Sequence, residues 1–299
     1  MNYEQLSRIK AFISLYSSKV STNILDGEFR SIYKGRSLDF DDLREYVTGD
    51  NVRDVDWKAS SRTGKLLVRR YVAEKRHNIL FVLDSGRKML ADTSAGEDKA
   101  KLAADTMGVI AYLVNQGSDE YALLMEGKDG LCFTDFGRGG RHFEELMSTA
   151  GRGIGGPEQA GSGNAGPRGV KELLDYAAEN IRRRMIIVAV TDQAGVSAID
   201  ESLLRKVTVN NDLLVISLDD AWLTGGNVYD VDNERYESEL LFGGEGLAEA
   251  EQRAREAVYA GAEKRFNSYR VSMLKLARED EIIPGIIDLF ERHRNGIVR

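Results

Sequence analysis

Three apolar runs constrain this chain more than any other feature: Leu80-Phe81-Val82-Leu83, Met185 to Val190, and Leu213 to Ile216 within the strand Leu213 to Leu218. A strand with one wet face alternates apolar and polar residues. A run with no polar positions is buried on both faces, as in parallel sheets covered by helices. Between these runs, apolar residues recur at helical spacing. The segment 98–116 carries Leu102, Ala103, Met107, Ile110, Leu113 and Val114; the segment 170–181 carries Leu173, Leu174, Ala177 and Ile181. Shorter helices are predicted over 142–147 and 199–206. Tyr121 to Met125 and Leu131 to Thr134 read as two strands joined by a turn at Lys128-Asp129-Gly130. Strands interleaved with helices predict an α/β fold: a central, mostly parallel sheet with helices on both faces.

Two of the apolar runs end in acids. Leu83 is followed by Asp84-Ser85-Gly86-Arg87-Lys88, and Val190 by Thr191-Asp192. Ligands of open α/β sheets meet the carboxyl ends of the strands, so both aspartates are candidate site residues. Asp84 is a metal ligand, a catalytic carboxylate, or half of a salt bridge to one of the two cations that follow it.

Composition narrows the function. The net charge of −7 and pI near 5.3 argue against a chain built around nucleic acid. Cys132 is the single cysteine, and His77, His142 and His293 have no zinc-like spacing. No apolar run approaches the roughly 20 residues of a membrane span. The opening MNYEQLSRIKAF lacks the apolar core of a signal peptide, which leads to a cytoplasmic expectation. Residues 151–169 form a glycine-rich stretch in which Gly151, Gly153 and Gly156 satisfy G-x-G-x-x-G. A dinucleotide loop follows a strand, whereas this one follows a predicted helix, so a flexible loop is expected. Leu247 to Leu276 steps by three or four residues and predicts one long C-terminal helix. Pro284 punctuates it, and 286–292 form a last short helix.

Residues 40–71 are dense in charge. Asp41, Asp42, Glu45, Asp50, Asp54 and Asp56 sit among Arg44, Arg53, Lys58 and Arg62, with Phe40, Leu43, Tyr46, Val52, Val55 and Trp57 interleaved. As a carboxylate cluster, the acids of residues 41–56 suggest a two-metal phosphoester hydrolase. The interspersed cations favour an ion-paired clasp, with Trp57 buried and Arg44 and Arg53 paired to nearby acids. Leu66 to Tyr71 alternates as an edge strand. The basic residues here come without the aromatic stacking platform of single-strand binders.

This segment resembles a known family. Phe40, Leu43-Arg44-Glu45-Tyr46, Gly49-Asp50, Arg53, Asp56-Trp57 and the Ser61-Arg62-Thr63-Gly64-Lys65 turn, followed by a strand ending Leu83-Asp84-Ser85-Gly86, are similar to the bacterial domain-of-unknown-function fifty-eight family. The resemblance implies a von Willebrand factor A-like domain. It also implies a non-catalytic adaptor working with a MoxR-type AAA+ ATPase in protein assembly or maturation. Intact domains of that type carry a metal-ion-dependent adhesion site: D-x-S-x-S after the first strand, a threonine from a later loop, and an aspartate after the fourth strand. Hydroxyl and carboxylate oxygens of this kind suit Mg²⁺. Here Asp84 matches the first aspartate and Thr191-Asp192 the later corner, but Gly86 and Lys88 stand at the serine positions. The implied site is degenerate, and no cofactor is expected. Either Lys88 takes the metal's place between Asp84 and Asp192, or it points to solvent. The alternative is a metal-dependent adhesion module whose coordination is completed by water. The expected organisation is a clasp over 1–76, the A-like domain over 77–220, and a helical extension over 221–299.

Overall fold

The computed structural model describes residues 42–47, 55–70, 77–115, 119–127, 130–154, 169–224, 229–230, 235–236 and 245–297. Phe40, Asp41, Gly49, Asp50, Val52, Arg53 and Asp54, together with residues 155–168 of the glycine-rich stretch and the Lys128-Asp129 turn, lie outside the described residues. The chain divides into two compact units, one of them over residues 33–76.

In the smaller unit, β1 (Asp42–Glu45) pairs antiparallel with β2 (Leu67–Arg70), placing Leu43 opposite Arg69. Between them runs α1 (Trp57–Thr63). Asp56 caps this helix, its carboxylate accepting from the amides of Lys58 and Ala59 at 3.0 Å each. Gly64 closes it with φ 71°, in the left-handed region that favours glycine, and donates its amide to the Ser60 carbonyl. The Ser60 hydroxyl accepts from the Leu67 amide at 2.9 Å, and Lys65 pairs with Glu45. The predicted burial of Trp57 is corrected: it is 65% exposed. It stands at the first position of a two-turn helix that buries none of its residues, and among the described residues of this unit the buried apolar side chains are Val55 and Val68.

The larger unit is built on β3 (Asn78–Leu83), β4 (Glu120–Gly127), β5 (Gly130–Phe133), β6 (Ile186–Asp192), β7 (Asp212–Leu218) and the later β10 (Ser272–Leu276). Two short strands, β8 (Tyr229–Asp230) and β9 (Arg235–Tyr236), pair separately. The order is β10-β7-β6-β3-β4-β5, parallel throughout except for the β4–β5 hairpin. The helices are α2 (Lys99–Asn115), α3 (Gly140–Gly153), α4 (Val170–Asn180), α5 (Gln193–Ala198), α6 (Glu201–Thr208), α7 (Glu245–Asn267) and α8 (Ile282–Ile297). Leu80, Val82, Ile187, Ala189, Leu213 and Val215 face a core closed by α4 to α7. The alternate residues of these strands turn to the other face, where α2, α3 and α8 pack. Both faces are therefore dry, as the apolar runs require.

Two elements depart from the sequence reading. The helix predicted over 142–147 runs from Gly140 to Gly153, so Gly151 and Gly153 belong to a helix and not to a loop. A Cβ at Gly153 would sit 2.4 Å from the Met125 Cε, the end of a flexible side chain at the contact between α3 and β4. The long C-terminal helix stops at Asn267. Arg270 (φ 58°) turns the chain, with the Val271 amide returning to the Phe266 carbonyl as in a Schellman cap. Residues 272–276 then form the outermost strand of the sheet, so the segment 221–299 is not purely helical. Phe266, Tyr269, Met273 and Leu276 continue the helical step across a change of structure. Pro284 sits in the first turn of α8, where a missing amide costs nothing.

Two tests follow from this packing. Phe266, fully buried under the sheet, should cost about 3–5 kcal/mol when cut to alanine. Trp57→Ala should stay within about 1 kcal/mol, as exposed substitutions do; urea unfolding of the two variants gives the comparison. His293, on α8, is buried with its Nδ1 3.3 Å from the Ser272 hydroxyl of β10. Burial holds its pKa below the ordinary 6.5, with Asp212 pulling weakly the other way. A histidine depressed in the folded state binds fewer protons there than in the unfolded chain. Stability should therefore be full above about pH 6.5 and fall as the pH drops below it, and His293→Gln should flatten that part of the profile.

Candidate functional site

The sheet order reverses direction at β3: the chain steps from β3 to β4 on one side and continues through β6, β7 and β10 on the other. The carboxyl ends of β3 and β6 flank that switch point, where open α/β sheets form their ligand crevice. Asp84 and Asp192 stand at those two ends. The Asp84 amide donates to the Val190 carbonyl at 2.9 Å, which carries the β3–β6 pairing up to the site.

Both carboxylates are buried, Asp84 at 0% and Asp192 at 2% exposure. Thr191 donates its hydroxyl to Asp84 Oδ2 at 2.7 Å, and the Gly86 amide lies 3.3 Å from Oδ1. Asp192 caps α5, its Oδ1 accepting from the Gly195 amide at 2.9 Å. A single 3-10 turn, Arg87–Leu90, brings Lys88 over the pair. Its Nζ is 3.0 Å from Asp84 Oδ2 and 2.9 Å from Asp192 Oδ1. Of the two placements open to Lys88, the structure has the inward one. Ser85, also buried, donates to the Glu126 carbonyl at 2.6 Å and so ties the turn to β4.

The charge arrangement follows from these distances. Burial alone would lower the Lys88 pKa; the charges of Asp84 and Asp192 and the hydrogen bonds to them outweigh it, and the net shift is upward from 10.5. A lysine raised in the folded state contributes its stability below pH 10.5 and loses it as the pH climbs past the raised value. Because the Lys88 side chain is 37% exposed, water screens part of that contribution. Gly86 is not forced by space: a Cβ there would meet Asp84 Oδ1 at 3.5 Å, an ordinary contact.

Several participants carry no sequence motif. Gly195 is one, since a Cβ there would fall 1.8 Å from the Thr191 hydroxyl oxygen and 3.0 Å from Val170 Cγ1. The buried Lys99 is another. It pairs with Asp220 and donates to the Lys88 carbonyl at 3.3 Å, joining the 3-10 turn to the loop after β7. Asp219-Asp220 follow a strand that is apolar but for Ser217, and that weaker signal was available in the sequence. Of the family-motif residues, Asp56 is occupied as a helix cap and Glu45 as a partner of Lys65. Trp57 and Arg62 are exposed on the same short helix. Leu43 and Tyr46 are half-buried, and Arg44 lies on β1. Among the described residues no three His, Cys, Asp or Glu side chains gather as a metal would need.

Gly195→Ala should destabilise by about 1–3 kcal/mol, the usual cost of overpacking. The threonine hydroxyl must leave Asp84 to make room. Combining it with Thr191→Ala should cost less than the sum of the two single variants, as for coupled neighbours. Strict additivity in a denaturation cycle would show that the contact does not hold the site.

Comparison with known proteins places this geometry in context. Uncharacterized proteins of Mycobacterium bovis and Mycobacterium tuberculosis are 25% identical over 172 residues, 58% of this chain and 52% of theirs. The chain thus spans about half the length of the curated relatives it matches. Among solved structures, a von Willebrand factor type A protein from Catenulispora acidiphila aligns with a TM-score of 0.39 at 10% identity, covering 77% of this chain and 44% of that one. An aerotolerance-related membrane protein from Bacteroides fragilis aligns at 0.34 and 13% identity, covering 63% of this chain and 99% of that one. None of the described helices is long and apolar enough to cross a membrane. A family model described as "Protein of unknown function DUF58" matches residues 42–234, more than half of the chain, and the chain belongs to that family.

Proposed function

We propose that this protein is a non-catalytic protein–protein interaction module, an adaptor whose docking rim is the carboxyl edge of the sheet around Asp84 and Asp192. The observation that carries the reading is the ammonium of Lys88 between two buried carboxylates. In an intact adhesion site a divalent cation neutralises such a pair and offers an open coordination position. Here a tethered lysine supplies the positive charge and offers no such position. Asp84 and Asp192 are each engaged by donors of the fold itself, which suits a fixed rim better than a reacting carboxylate. Following the family resemblance, the partner is a MoxR-type AAA+ ATPase, met in the cytoplasm, and the work is protein assembly or maturation.

Metal dependence tests the clamp. Millimolar Mg²⁺ should leave the melting temperature of the wild type unchanged, because a ligand stabilises only a state that it binds. Gly86→Ser combined with Lys88→Ser restores the D-x-S-x-S pattern and should gain a saturable upward shift with Mg²⁺. A shift in the wild type that Asp84→Ala abolishes would instead favour a water-completed metal site. Capture of a MoxR-type AAA+ ATPase by wild type and not by Lys88→Glu tests the partner. Equal capture by both would move the interface away from this rim.

A further inference from the structure

A second acidic strand end stands apart from the Lys88 clamp. Asp219, after β7, is 4% exposed. Its Oδ2 accepts from the Ser94 hydroxyl at 2.6 Å. Its Oδ1 is buried and receives no hydrogen bond. Lys275 Nζ lies 3.1 Å from that oxygen, near enough to balance its charge but out of line for a hydrogen bond. Arg255 comes only to 3.8 Å, and its guanidinium is committed to the carbonyls of Asp220 and Ala221 and to Glu251. The Lys275 ammonium also stands 4.6 Å from the centroid of the Tyr259 ring. A carboxylate beside an aromatic face is a seat for a cation.

The present occupant is held loosely. Lys275 belongs to β10, the outermost strand, and its side chain is 45% exposed. Next to it opens a groove of about 770 Å³, lined by Asp219 together with Leu274, Leu276, Pro284 and Gly285. The other charges on the groove are already matched: Arg278 pairs with Asp280 at 2.9 Å, and Glu281 accepts from the amides of Ala277 and Arg278. The groove lies at the carboxyl ends of β7 and β10, the side of the sheet on which α/β proteins meet ligands.

We propose that this groove receives a basic side chain, the alkylammonium of a lysine or the guanidinium of an arginine on a protein partner. The incoming cation takes the place of Lys275 on Asp219, and its methylenes lie along the groove wall formed by Leu274, Leu276 and Pro284. Exchanging one cation for another leaves the buried carboxylate neutralised, and the incoming donor completes the hydrogen bond that Oδ1 lacks. That the cation arrives on a protein rests on the interaction reading above; the seat itself does not.

The test is a titration of the full chain with an acetylated, amidated lysine tripeptide, its arginine counterpart and n-butylammonium. Ionic strength is matched with NaCl, and the amide resonances of Ser94, Lys275 and Ala277 are followed. Lys275→Ala removes the resident ammonium and should bind the peptides at least tenfold more tightly than wild type. Its melting temperature should fall, and n-butylammonium should restore it saturably. Asp219→Asn should abolish binding; if that variant fails to fold, the Lys275→Ala comparison decides alone. No saturable shift in wild type or in Lys275→Ala overturns the seat, as does unchanged binding by folded Asp219→Asn. Peptides binding at least tenfold more tightly than n-butylammonium support a protein-borne side chain, and equal affinity overturns that source. Peptide binding that persists when the ATPase is not captured would sink that partner and leave the seat standing.

Discussion

Two carboxylates cannot stay ionised, side by side and out of water, without a counter-charge. Asp84 and Asp192 are set in that position by the backbone itself, at the ends of two adjacent parallel strands. Much of the surrounding design answers that constraint. Thr191 turns its hydroxyl inward, and Gly195 gives up a side chain to leave room for it. The chain after β3 winds into one 3-10 turn that delivers the Lys88 ammonium. The turn is secured in its own right, by Ser85 to β4 and by Lys99 to the Lys88 carbonyl.

The same constraint recurs one strand further along. Asp219 and Asp220 follow β7, and they too are met by cations from distant parts of the chain: Lys99 from α2, Arg255 from α7 and Lys275 from β10. The carboxyl edge of the sheet is thus a row of acids, each with tethered positive charge. The two positions differ in how firmly the charge is held. Lys88 bridges two carboxylates at hydrogen-bonding distance, whereas Lys275 leans on one carboxylate and a ring from a strand at the margin.

Much of the fold was legible in the sequence, because the apolar runs admit so few solutions. Leu80–Leu83, Met185–Val190 and Leu213–Leu218 have no polar face, so each had to be an interior strand. The acids ending the first two marked the site. Other features were not legible, for identifiable reasons. Residues 272–276 continue the three-and-four step of α7, and only the left-handed turn at Arg270 separates helix from strand. An aromatic side chain amid alternating charges suggests a buried anchor, yet Trp57 opens a helix too short to cover anything. Gly195 looks like any glycine until Thr191 is placed beside it.

The sequence by itself determined that this chain forms a two-sided α/β sheet, and that Asp84 and Asp192 end two of its strands. It also determined that positions 86 and 88, a glycine and a lysine, carry no side-chain oxygen. Those are local facts of side-chain type and spacing. Whether Lys88 faces inward or outward, which cations neutralise Asp219 and Asp220, and that the last strand closes the sheet were decided by the tertiary structure. Each depends on groups up to 121 residues apart, as Lys99 and Asp220 are, being brought within hydrogen-bonding reach. No local pattern encodes such a meeting, which follows from the order in which the strands pack.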